Sequence, residues 1–233
     1  GLIFFPLFSG YISNGDWDNV NNKIYQYHEF IILFLFPLIC LLCIIGGPVL
    51  LLILGTKYKP SIIPFQILIF ASYLSVLGMP YSNIIEGMGK FNIVVIINII
   101  FLLVFIISTF IFIAPNMLNL GAVGLAVNQL TLNFTRNGLY LFFAKKLGEV
   151  HMKSNNNIRH IIIICWTFIT YFFSIYFKKL IPIWWLIMIP LYIIPLYLIL
   201  NITGFMKKEH WRLLLDTLNI KKTLKYAYNE IKD

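Results

Sequence analysis

The chain has 233 residues, of which 60% are hydrophobic and only 12% charged, with 18 Lys and Arg against 9 Asp and Glu. A mean hydropathy of +0.85 excludes an ordinary soluble domain and points to lipid as the solvent. The net charge of +9 has no basic soluble domain to sit on, so nucleic acid is not an expected partner.

Leu2 to Phe8 is apolar but too short to cross a bilayer. It reads as the end of a helix, and the chain as the C-terminal part of a longer protein. Residues 11–29 read as a polar connector, with Asn14-Gly15 as a turn signal and Trp17, Tyr25 and Tyr27 as interface aromatics. A spanning helix needs about 20 apolar residues. Six runs meet that length: Phe30 to Leu54, Ser61 to Ile85, Phe91 to Ala114, Met117 to Phe143, Ile161 to Phe177 and Leu180 to Leu200. Their continuity excludes the period-two alternation of a β-barrel. The expected fold is therefore an all-α polytopic transmembrane bundle of about six spans. Pro37, Pro64, Pro80, Pro182, Pro190 and Pro195 fall within or beside these runs. They are expected to kink helices whose freed carbonyls neighbouring helices satisfy.

The expected organisation is a four-span unit over residues 1–145 with a partial first helix, a loop over 146–160, two further spans over 161–204, and a basic tail over 205–233. Lys145, Lys146, Lys153 and Arg159 crowd the loop, and seven Lys or Arg crowd the tail. The positive-inside rule places both on the cytoplasmic side. Lys57, Lys59, Lys178 and Lys179 then fall outside, close to helix ends where lysine can snorkel. In the tail, Phe205, Trp211, Leu214, Leu215, Leu218 and Leu224 alternate with basic residues. That pattern suits a helix lying on an anionic leaflet; a solvated end is the competing reading.

The fourth span carries the chemistry. Gly121, Gly124, Asn128, Thr131, Thr135 and Gly138 fall on one helical stripe, with Leu125, Leu132 and Leu139 opposite. The stripe is either a packing seam of small and hydrogen-bonding residues or the wall of a hydrated cavity. Arg136 lies roughly 12 Å inside the end marked by Lys145, where a charge is costly and pairs or faces a pathway. Because none of the six runs contains Asp or Glu, an anionic ligand or a carboxylate from the N-terminal half is the expected partner, and the guanidinium fork suits phosphate; snorkelling to the cytoplasmic interface is the competing reading. Arg136, Asn128, Thr131 and Thr135 are thus the candidate substrate-binding residues. Cys40 and Cys43 form a C-x-x-C within an apolar run and read as small membrane hydrophobes. His28, His151, His160 and His210 are scattered at span ends, and no catalytic signature is present. Neither enzyme chemistry nor a cofactor or metal is expected.

The stretch Pro48 to Ser61, with Gly55-Thr56-Lys57-Tyr58, resembles the span-exit segment of polysaccharide biosynthesis flippases of the multidrug/oligosaccharidyl-lipid/polysaccharide exporter superfamily. Pro6 to Val20, Glu86-Gly87-Met88-Gly89-Lys90 and Gly121-Ala122-Val123-Gly124-Leu125-Ala126 are similar to further segments of that family, in order. The resemblance implies the second lobe of a two-lobed, MATE-like flippase plus two extra helices. Its cargo would be a polyprenyl-phosphate- or pyrophosphate-linked oligosaccharide, crossing the cytoplasmic membrane between this lobe and an N-terminal one. Two other readings remain: a cation-coupled multidrug exporter of the same fold, which would favour an intramembrane carboxylate, and a membrane-embedded glycan polymerase or glycosyltransferase, which would need a large ionisable loop.

Overall fold

A computed structural model describes residues 4–151, 157–180, 184–206 and 210. The helices are α1 (Phe4–Ser13), α2 (Trp17–Phe30), α3 (Phe36–Leu54), α4 (Ile62–Gly87), α5 (Phe91–Ile113), α6 (Gly121–Leu147), α7 (Asn157–Leu180) and α8 (Trp184–Ile202). No strand occurs among the described residues. Lipid cannot hydrogen-bond a bare backbone, so apolar runs of this length satisfy their own amides as helices. Five stretches are long and apolar enough to cross a membrane: Trp17–Leu54, Thr56–Gly87, Phe91–Ile113, Ile158–Lys178 and Trp184–Ile202. The protein is an all-α, polytopic membrane bundle. Helix α6, expected as a sixth span, has 27 residues and a length of about 40 Å. Its amides, threonines and Arg136 leave it less apolar than the other five.

The expected connector over residues 11–29 is corrected. Only Asn14 to Asp16 turn, with Gly15 at φ +68°, and the Asp16 side chain accepts from the Asn19 amide at 3.2 Å to cap α2. From there Trp17 to Leu54 runs as one helix, through a π-helical turn at Ile31–Leu35. At about 1.5 Å per residue it measures ~57 Å, well beyond the ~30 Å hydrocarbon layer. Val20, Ile24 and Ile31 step along its buried face, which explains why so polar a segment stays helical.

Helix α4 lies at the centre, touching α1, α3, α5 and α6, while α6 packs on both α4 and α5. Two apolar clusters hold the bundle. One gathers Phe8, Val20, Ile84, Ile85, Ile97 and Ala144; the other gathers Leu33, Phe36 and Tyr73 with Ile163, Tyr192, Leu196 and Leu200. Helices α7 and α8 therefore share a core with α3. Residues 148–151, the described start of the expected 146–160 loop, are pinned to α2: Asn21 Nδ2 donates to Glu149 O at 2.8 Å, and the His151 amide donates to Asn21 Oδ1 at 2.9 Å. Met152 to Asn156 and nearly all of the expected amphipathic tail lie outside the described residues.

The prolines act as their chemistry dictates. Proline lacks an amide hydrogen and frees the carbonyl four residues back. Pro37 frees Leu33 O, which accepts from the Tyr197 hydroxyl at 3.0 Å. Pro80 frees Val76 O, which accepts from the Tyr27 hydroxyl at 2.8 Å. Beside Pro48, Gln66 Nε2 donates to Cys43 O at 2.6 Å. Pro64 sits in the first turn of α4, where no helical partner is lost.

Glycine permits the closest approach of α4 to α6. A Cβ on Gly78 would overlap the side chain of Asn137, whose Nδ2 donates to Leu74 O. Gly78→Ala should therefore destabilise the bundle by about 1–3 kcal/mol. A Cβ on Gly138 meets nothing within 4 Å, so Gly138→Ala should be neutral or gain up to about 1 kcal/mol of helix propensity. Thermal unfolding of the two variants in detergent separates these outcomes; equal midpoints would contradict the packing argument.

Candidate functional site

Arg136 projects from α6 about 16 Å inside the Leu147 end, at ~1.5 Å per residue. Its Nη2 donates to Ser75 Oγ at 2.9 Å and approaches Asn133 Oδ1 at 3.4 Å. Its guanidinium carbon lies 5.5 Å from the ring centroid of Phe101 on α5. Asn133 is itself fixed: its Nδ2 donates to Ala71 O at 2.8 Å, tying α6 to α4. Arg136, Ser75 and Asn133 line an open cleft of about 600 Å³ together with Ser72, Gln129, Leu68 and Val76. The lining contains a cation, hydroxyls and amides, and no carboxylate.

The other three candidates do not line this cleft. Asn128 is 1% exposed and turned to α5, where its Nδ2 donates to Thr109 Oγ1 at 2.6 Å and its Oδ1 accepts from Ser108. Gly124 packs equally closely, since a Cβ there would come 2.7 Å from Phe112 O. The upper stripe is a seam against α5. Thr131 and Thr135 are half-buried and donate back to Val127 O and Thr131 O, at 3.0 and 2.9 Å. Leu132, expected on the face opposite, is fully buried, whereas Phe134 is 73% exposed. The polar residues that open beside Arg136 are instead Gln129, Ser72 and Ser75. Ser72 and Ser75 were visible in the sequence as hydroxyls one turn apart, but nothing local tied them to Arg136.

A buried ion pair that the sequence does not foreshadow lies at the α2 end. Glu29 falls inside the long helix and is 7% exposed, which corrects the expectation of acid-free spans. Its Oε1 pairs with Nη1 of Arg159, 6% exposed, and its Oε2 lies 3.2 Å from His210 Nε2. Arg159 also stacks over Phe205, at 5.5 Å to the ring centroid. Arg159 belongs to the first turn of α7 and is no free loop charge. Neither ion pair found among the described residues involves Arg136. No group of three or more His, Cys, Asp or Glu could hold a metal among the described residues.

The class defined by this geometry is a helical membrane bundle with a cationic polar cleft between α4 and α6. No family model, no curated protein and no solved structure matches the chain.

The cleft makes a prediction for thiol labelling. In a background lacking Cys40, Cys43 and Cys165, single cysteines at Gln129 and Ser72 should react with a membrane-impermeant maleimide, and a cysteine at Asn128 should not. Rates that differ by less than about threefold between Gln129 and Asn128 would contradict the burial of Asn128 against α5.

Proposed function

We propose that this chain is a lobe of a transporter that flips a polyprenyl-phosphate- or pyrophosphate-linked oligosaccharide across the cytoplasmic membrane for surface polysaccharide assembly. One observation carries the reading: Arg136 opens into a polar cleft at membrane depth with only neutral partners. A half-buried cation at membrane depth without a carboxylate is costly, and a phosphate oxygen pair matches its planar fork. Ser72, Ser75 and Gln129 supply uncharged hydrogen bonds beside it. The prenyl chain stays in the bilayer while the head crosses between this lobe and its N-terminal counterpart. Lys145 and Lys146 in the last turn of α6 and the clustered Lys and Arg after α8 orient those ends to the cytoplasm, with the tail on anionic lipid. The reaction breaks no covalent bond, so the chain is not an enzyme and uses no cofactor.

A cation-coupled exporter of the same fold would need an available carboxylate. Glu29 is the buried candidate, but Arg159 already neutralises it. The test is genetic. Removing the protein from its host should abolish surface glycan and accumulate the lipid-linked saccharide on the inner leaflet. Unchanged surface glycan, with raised sensitivity to lipophilic cations, would favour the exporter instead.

A further inference from the structure

On the other side of the α4–α6 contact lies a second cleft, of about 1020 Å³. Its size stands at the upper end of small-molecule sites, which run roughly 300–1,000 Å³. Helix α2 forms one wall with Asn22, Tyr25 and His28; α4 and α6 form the other with Tyr81, Phe134 and Asn137. The sequence scattered His28, His151 and His160; the fold brings all three to this one cleft.

Two buried polar atoms in the wall have no hydrogen-bond partner: the Tyr81 hydroxyl and His28 Nε2. Tyr81 is only 4% exposed, and its ring meets the His28 ring edge-on, with centroids 5.6 Å apart. A buried polar atom left unpaired is costly and demands a reason. The charges around it narrow the choice of ligand. The lining has no Lys or Arg and one carboxylate, Asp18, so it offers a phosphate no permanent cation. The aromatic rings and amides suit a sugar. The C–H faces of a sugar ring lie on aromatic surfaces, and its hydroxyls both donate and accept. Ile32, Leu74 and Leu77 add an aliphatic floor.

We propose that this second cleft binds the neutral, polyhydroxylated head of an amphiphile, as a saccharide site separate from the Arg136 cleft. The inference deepens the transport reading and rests on it for the kind of ligand. On binding, side-chain shifts of Tyr81 and His28 bring the Tyr81 hydroxyl and His28 Nε2, both closed to solvent in this structure, to the sugar hydroxyls, and Tyr25 and Phe134 supply the apolar platform.

The test uses the whole chain in lipid nanodiscs with three probes below their micelle concentrations: a fluorescent dodecyl maltoside, dodecyl phosphate and dodecanol. The maltoside should bind saturably and resist displacement by dodecanol. Tyr81→Phe removes one oxygen without changing packing, and should weaken maltoside binding by up to about tenfold while leaving the unfolding temperature unchanged or raised. Absence of saturable maltoside binding, equal binding by Tyr81→Phe, or equal displacement by dodecanol would each overturn the inference. The dodecyl phosphate arm keeps the two readings apart. Phosphate binding that is lost in Arg136→Ala, with no maltoside site, defeats the saccharide cleft alone. A maltoside site sensitive to Tyr81→Phe, with phosphate binding indifferent to Arg136, upholds this cleft and defeats the phosphate role of Arg136.

Discussion

Replacing Arg159 by alanine should destabilise the folded bundle by about 3–5 kcal/mol, because it leaves the Glu29 carboxylate buried without its cation. Both side chains are more than nine-tenths buried, so water cannot replace the lost partner. Glu29→Gln should have a comparable effect through the stranded guanidinium. A double variant, Glu29→Gln with Arg159→Met, should recover more than half of the loss, since two apolar or neutral groups of similar volume need no mutual pairing. The pair also organises the bundle. It joins the long α2–α3 helix to the first turn of α7, while Phe205 and His210 bring the segment after α8 to the same point. Unfolding of the two single variants and the double variant in detergent gives the coupling energy directly. Single variants within about 1 kcal/mol of the parent, or losses that simply add, would show that the two charges do not depend on each other.

The spans were legible because membrane helices announce themselves by length. The ends at Leu54, Phe91 and Leu147 fall within a few residues of the expected ones, and Gly55 and Gly89 mark their turns with φ values of +89° and +69°. The polar entry to the first span was not legible. Asp18, Asn19, Asn21 and Asn22 look like a loop by composition, although Val20, Ile24 and Ile31 carry a helical period through them. Glu29 reads as a loop residue for that reason, and its pairing with Arg159, 130 positions later, has no local signature. That prolines would free carbonyls could be foreseen, but not that Tyr27 and Tyr197 would cap two of them. The α6 stripe shows a more general ambiguity. In lipid, a row of Gly, Asn and Thr serves a cavity wall or a helix contact equally well. Only the partner decides, and here Ser108 and Thr109 claim Asn128. Arg136 could be read because depth alone makes a charge informative.

Arg136→Ala should lower the initial rate of lipid-linked saccharide translocation by about 10- to 100-fold, at unchanged protein level. Charge-assisted hydrogen bonds contribute roughly 1.5–3 kcal/mol, and each 1.4 kcal/mol is about tenfold. The variant should still fold, because its losses are a bond to the half-buried Ser75, a long contact to Asn133 and a ring contact with Phe101. Arg136→Lys keeps the charge and loses the fork, so an intermediate rate is expected. The most direct measurement places the complete transporter in sealed vesicles with a short-chain polyprenyl pyrophosphate bearing a labelled saccharide. Arrival of the label on the far leaflet is followed with an impermeant glycosidase. The account predicts rapid arrival with the parent protein, slower arrival with Arg136→Lys and near-background arrival with Arg136→Ala; parent-like rates in the alanine variant at equal protein level would contradict it.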